Sequence, residues 1–209
     1  MFSFLKKSKT ESAWPAWPTR ASRETRSLGE ILHAEWQRHA FLGDESIDEG
    51  INKIIKGNDD IVFVSSLNIE VAKRKSIRNT KKSLGIDKDD WKTMIVAIHG
   101  RMHWSLLVYV KGDDYGRGFH YDSICGCNRG DCVDITWFLV TIGVIDQGFK
   151  LFEPPFFQQD RGYECGFYTI LAAYLFTTRD GNERKELYAS NEYYHRMDLF
   201  FELYSFLRE

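Results

Sequence analysis

A turn-rich segment, Gln158-Gln159-Asp160-Arg161-Gly162-Tyr163-Glu164, runs straight into an apolar stretch from Phe167 to Phe176. The stretch is long enough for a buried helix, and a chain can accommodate one only by building its core around it. Cys165 falls at the start of that helix. Unpaired backbone N–H groups and the positive end of the helix dipole favour an anion there. A thiol so placed should ionise more easily, and the thiolate is the reactive form. A lone cysteine is more often a small buried hydrophobe, so position alone does not decide its role.

The chain has 209 residues, which suits one domain with a proper core. Apolar residues make up 43% and charged residues 28%, so wholesale disorder is not expected. A net charge of −2 gives no electrostatic argument for nucleic acid or a membrane surface. No apolar run approaches a membrane span. Lys6, Lys7 and Lys9 follow Met1 to Leu5 with no apolar core after them, unlike a secretory signal. Of the four cysteines, Cys125, Cys127 and Cys132 crowd one short loop, which is no disulfide framework. A reducing intracellular compartment is therefore expected, cytoplasm or nucleus, or a host cytosol for a secreted effector.

Residues 1–26 read as a flexible basic tail with two Trp-Pro pairs, and residues 27–209 as a single domain. Leu28, Ile31, Leu32 and Trp36 predict a helix over 28–40. Asp44 reads as an N-cap before a stripe of Ile47, Ile51, Ile54 and Ile55, with Gly57 as the stop. Ile61 to Val64 predicts a short buried strand, and Asn68 to Arg78 a short helix. Residues 79–90 are charged, a solvated loop or helix face. Strands follow at Thr93 to Ile98, Trp104 to Val110 and Phe119 to Asp122. The first two are continuously apolar, which predicts burial on both faces. Asp131 could cap a helix through Val133, Trp137, Phe138 and Val140. Phe149 to Phe152 predicts a further strand. Asp180 and Gly181 break the Cys165 helix, and Asn191 opens a last one with Tyr194, Met197, Phe201, Tyr204 and Phe206 near one face.

His103 stands at the entrance to one strand and Asp122 at the exit of the next. A hairpin brings the start of its first strand beside the end of its second, so the two should be neighbours. A carboxylate beside an imidazole fixes its tautomer and stabilises the imidazolium. Docking the Cys165 helix there would give nucleophile, base and orienter. Gln159, just before the helix, could aim its amide at a developing oxyanion, with the Cys165 N–H as second donor. Each residue alone has a blander reading: a structural His, a turn-forming Asp, an idle loop Gln. Compatible placement of all four is what favours catalysis.

His103-Trp104-Ser105-Leu106-Leu107-Val108-Tyr109, Phe119-His120-Tyr121-Asp122-Ser123 and Gln159 six positions before Cys165-Gly166 resemble the Ulp/SENP family of ubiquitin-like-protein cysteine proteases. The strand wording is closest to the deneddylase branch, which acts on the Nedd/Rub modifier. Phe41-Leu42-Gly43-Asp44 resembles that family's Trp-Leu-Asn-Asp stretch at the substrate edge. The resemblance spans roughly Phe41 to Phe176. It implies an α+β, papain-like fold of the Ulp type, with a mixed sheet flanked by helices. It implies Cys165 as nucleophile, His103 as base, Asp122 as orienter and Gln159 as oxyanion donor, with no cofactor. Trp104 would wall a tunnel that clamps the modifier's Gly-Gly tail, with Phe41 and Asp44 at the substrate-binding edge. Only glycine passes a slot between ring faces. The implied partners are Nedd/Rub, SUMO or ubiquitin and their conjugates, met by a monomer. Phe41 for tryptophan and Gly43 for asparagine depart from the family's wording and bear on modifier choice, whereas Glu164 for the usual Asp keeps the charge.

The loop Cys125-Gly126-Cys127-Asn128-Arg129-Gly130-Asp131-Cys132 offers three soft ligands, with His120 as a conceivable fourth for zinc. Its spacing matches no common zinc module, and no metal is expected. Two rival functions are an acetyltransferase of the same clan, for which no phosphate cradle is visible, and a catalytically silent module that binds a modifier.

Overall fold

In a computed structural model the described residues are 26–74, 80–86, 89–190 and 192–209. Residues 1–25 of the basic tail, the end of the helix expected to reach Arg78, and Asn191 lie outside them. The fold is α+β, a five-stranded mixed sheet between two layers of helices. In chain order the elements are α1 (Leu28–Gln37), α2 (Asp44–Ile55), β1 (Ile61–Val64), α3 (Ser66–Lys73), α4 (Thr80–Ser83), β2 (Thr93–Gly100), β3 (His103–Val110), β4 (Arg117–Tyr121), α5 (Arg129–Thr141), β5 (Lys150–Phe152), α6 (Cys165–Thr178), α7 (Gly181–Ala189) and α8 (Tyr193–Phe206).

The sheet runs in the order β1-β2-β3-β4-β5. β2, β3 and β4 are antiparallel neighbours, while β1 on β2 and β5 on β4 are parallel. Continuous apolarity in β2 and β3 has the expected consequence. Ile95, Ala97, Trp104, Leu106 and Val108 enter one core with α1, α2, α6 and α8. Met94, Val96, Ile98, Leu107 and Tyr109 enter a second core with α3, α4 and α5. Side chains alternate across a strand, so two buried faces leave few polar positions, and those of β3, His103 and Ser105, are themselves buried. α6 is the buried helix that the apolar run predicts: every residue from Cys165 to Leu175 is buried. It lies close against α2, where an added Cβ on Gly50 would stand 2.9 Å from Ile170 Cδ1.

Several expectations are corrected. Gly43, not Asp44, is the N-cap of α2, and Asp44 sits in the first turn, its carboxylate accepting from Ser66 Oγ at 2.6 Å. β1 is an edge strand in which only Val64 is fully buried. Asn128 rather than Asp131 is the cap residue of α5, and Trp137 and Val133 face solvent while Cys132, Ile135, Thr136 and Leu139 face inward. On α8, Tyr194 (81% exposed) and Phe201 lie outside, and Arg196, Leu199, Phe200, Leu203 and Tyr204 lie inside. Asp180 ends α6 but also begins α7, in a capping box with Glu183. Ser27 and Glu30 form a second such box on α1. Among the described residues no helix is long and apolar enough to cross a membrane.

Candidate active site

β2 and β3 are joined by the two-residue turn Arg101-Met102, with both residues at positive φ (51° and 63°). Such a turn matches the right-handed twist of a hairpin and sets the register at its mouth. It puts His103 at the first position of β3, opposite Gly100. β4 returns antiparallel and ends at Tyr121, so Asp122 emerges beside His103. His103 Nε2 and Asp122 Oδ1 are 2.6 Å apart, both buried. Asp122 also accepts the backbone N–H of Ile124 and of Asn128, each at 3.0 Å. Burial pushes its carboxyl up, but the bonds from His103, Asn128 and Ile124 outweigh that and hold it below the usual carboxylate value.

Cys165 opens α6 beside the same imidazole. Burial would keep His103 neutral, yet Asp122 and then Cys165 prevail and push its pKa up to about 9. Nε2 is taken by Asp122, so Nδ1 is the nitrogen left to exchange a proton with the thiol. An added Cβ on Gly166 would stand 2.8 Å from Leu42 Cβ, so glycine lets the segment before α2 lie against the first turn of α6. That segment also accepts the Trp104 indole N–H, at the Leu42 carbonyl, 3.0 Å away. Trp104 is stacked on His99 and 3% exposed, so its ring is covered rather than open. Phe41 is 57% exposed, and Asp44 is exposed too.

Gln159 stands half-buried before α6. Its backbone N–H donates to the Ser123 carbonyl (2.9 Å), its Oε1 accepts from Ser123 Oγ (2.7 Å), and its Nε2 donates to the Arg161 carbonyl (2.7 Å). Glu164 is buried and closes the turn by accepting the N–H groups of Asp160 (2.9 Å) and Arg161 (3.1 Å). The structure therefore brings His103, Asp122 and Cys165 together, ties Gln159 to the residue after Asp122, and leaves Phe41 and Asp44 on the surface.

Sequence reasoning missed Asn128. It weighed the loop for its thiols, while the fully buried residue at its centre organises the site. Besides its bond to Asp122, Asn128 donates through Nδ2 to the His103 carbonyl (3.0 Å) and to Ser105 Oγ (3.2 Å). Ser105 in turn meets His120 Nε2 at 3.0 Å, and burial holds His120 below its ordinary pKa against the pull of Asp122 and Glu153. His120 is thus engaged in this buried network, while Cys125 is exposed and Cys132 lies in the second core. Burial pushes the Cys132 thiol up to about 12. Among the described residues no group of three His, Cys, Asp or Glu side chains could hold a metal ion.

A buried imidazole between a carboxylate and a helix-terminal thiol has the residue types that thiol-dependent acyl transfer uses. The fold has solved counterparts. The chain matches the Ulp1 protease domain in complex with SMT3, the yeast ortholog of SUMO, at 16% identity, covering 82% of this chain and 80% of that one (TM-score 0.55). It matches the Chaetomium thermophilum Ulp1-like SUMO protease catalytic domain at 16% identity over 81% of this chain and 72% of that one (TM-score 0.56). It matches the Xanthomonas campestris effector protein XopD bound to ubiquitin at 16% identity over 95% of this chain and all of that one (TM-score 0.56). The fold is that of the Ulp-type protease domain. No protein-family model and no curated protein matches the sequence.

Proposed function

We propose that this protein is an intracellular thiol isopeptidase that cleaves after the C-terminal Gly-Gly of a ubiquitin-like modifier. One observation carries the reading: the buried His103–Asp122 pair, 2.6 Å apart, with Cys165 on the same imidazole at the N-terminus of a buried helix. The raised pKa of His103 favours an imidazolium at neutral pH. The thiolate attacks the carbonyl carbon of the terminal glycine. The oxygen that becomes negative is met by the Cys165 N–H and by a hydrogen of Gln159 Nε2. That amide nitrogen has two hydrogens, and the Arg161 carbonyl takes one. As the tetrahedral species collapses, the C–N bond breaks and His103 gives its proton to the leaving lysine amine. A thioester remains. Water attacks it with His103 as base, freeing the modifier's carboxylate and restoring the thiol.

Phe41 and Asp44, both on the surface, would meet the modifier's tail at the edge, and Trp104, whose ring is covered, would back that segment through its bond to the Leu42 carbonyl. The wording of β3 and β4 favours Nedd/Rub. The names of the structural neighbours bring SUMO and ubiquitin into the same test. Fluorogenic C-terminal amides of the three modifiers discriminate. The wild type should turn over one of them, Nedd/Rub first, and Cys165→Ala none. Turnover that survives Cys165→Ala would exclude the mechanism.

A further inference from the structure

Arg196 is a cation that is 3% exposed and takes no part in the chemistry above. It lies in the first turn of α8, outside the stretch that carries the sequence resemblance. Burying a guanidinium is costly unless it is paired, and a buried ion pair is weak evidence for stability in itself. What the side chain reaches is therefore informative. Nη1 donates to the Gln158 carbonyl and, at 3.1 Å, to the Tyr168 hydroxyl. Nη2 donates to the Asp160 carboxylate at 2.6 Å. Nε is buried with no partner. The fork is thus aimed at the loop with both terminal nitrogens while its inner nitrogen goes unmatched.

Gln158 and Asp160 flank Gln159, and Tyr168 lies one turn along α6 from Cys165. One rigid side chain therefore ties both neighbours of Gln159 to the nucleophile's own helix. The planar fork fixes direction as well as distance, which a lysine ammonium would not do. We infer that Arg196 is a positioning residue, which sets where the Gln159 amide stands relative to Cys165. This rests on the reading of Gln159 as an oxyanion donor. Reaction geometry is unforgiving: a shift of about 1 Å can cost about a hundredfold in rate.

The test is steady-state kinetics on the modifier amide that the wild type cleaves, with Arg196→Met, Arg196→Lys, Asp160→Ala, Gln159→Ala and the double variant Gln159→Ala/Arg196→Met. Arg196→Met should lower kcat roughly ten- to a hundredfold and leave KM nearly unchanged, below the ceiling set by loss of the oxyanion donor itself. Arg196→Lys should recover part of the loss. Asp160→Ala, at an exposed residue, removes one acceptor and should cost a few-fold, which keeps the test alive if Arg196→Met does not fold. Once Gln159 is gone, Arg196→Met should add little, because residues that act as a unit are not additive. An unchanged kcat, a loss confined to KM, or the full loss repeated in the Gln159→Ala background would overturn the inference. If the wild type cleaves no modifier amide, the reading of function has failed separately. Hydrogen exchange then reads the tether alone: residues 158–162 should exchange faster in Arg196→Met with β2 and β3 unchanged, and equal exchange there would refute it.

Discussion

At the scale of single residues, the His103–Asp122 pair sets the protonation of the site. The folded pKa of His103, about 9, lies above its ordinary 6.5. Its contribution to stability is therefore full below about 6.5 and fades as pH rises through 9. Asp122 has the opposite sense. Its folded pKa lies below the ordinary 3.8, so its contribution is present above 3.8 and is lost as pH falls through the folded value. Asp122→Asn should take the His103 midpoint from about 9 toward 6.5 or lower, since burial then acts with only Cys165 against it. Ring-proton NMR across pH 5 to 10, a window of about five units around the ordinary value, follows this directly. A midpoint that stays near 9 would mean that the carboxylate is not the cause. This pair was legible in the sequence because hairpin geometry alone brings the two positions together. Asn128 and Arg196 were not. Each acts across a distance in the chain that no periodicity or spacing encodes, one from inside a loop read for its cysteines and one from the C-terminal helix.

At the scale of elements, the turn before His103 is a place where backbone strain is stored. Arg101 and Met102 both occupy the left-handed region, and neither is a residue that does so readily. Replacing them with Asn-Gly should stabilise the fold by about 1 kcal/mol and raise Tm by about 2–4 °C in a scanning melt. An unchanged or lower Tm would show that the side chains, Met102 exposed among them, are held by something other than the hairpin. Elements buried all round were readable: α6, β2 and β3 have no polar face to misassign. The amphipathic helices were harder. Trp137 on α5 and Tyr194 and Phe201 on α8 are aromatic but face outward, while the inward faces include Thr136 and Arg196. Choosing a face by its rings therefore mixed the two sides, since Tyr204 is buried and Met197, Phe206, Phe138 and Val140 pack against the cores. Asp180 was read as a break because Asp and Gly punctuate loops, although the same Asp with Glu183 three positions on signals a helix start.

At the scale of the whole molecule, α8 completes the core that holds α6. Leu199, Phe200, Leu203, Tyr204 and Leu207 are buried with Leu28 and Leu32 of α1 and with the apolar face of α6. Losing any one such side chain costs about 2–5 kcal/mol, and a domain's whole stability is about 5–15 kcal/mol. A chain ended at Ser190 should therefore not fold, and circular dichroism would show no cooperative melt. A native-like melt would mean that the C-terminal helix is an accessory. These layers hold Cys165, His103 and Asp122 together, as the proposed cleavage after a Gly-Gly tail requires. The most direct test of that cleavage is labelling with Nedd/Rub, SUMO and ubiquitin that carry a C-terminal electrophile, read as a mass shift beside Cys165→Ala. A single adduct with one of the three is expected, Nedd/Rub first, absent in the variant; no adduct with any of them, or one that persists without Cys165, would rule the proposed function out.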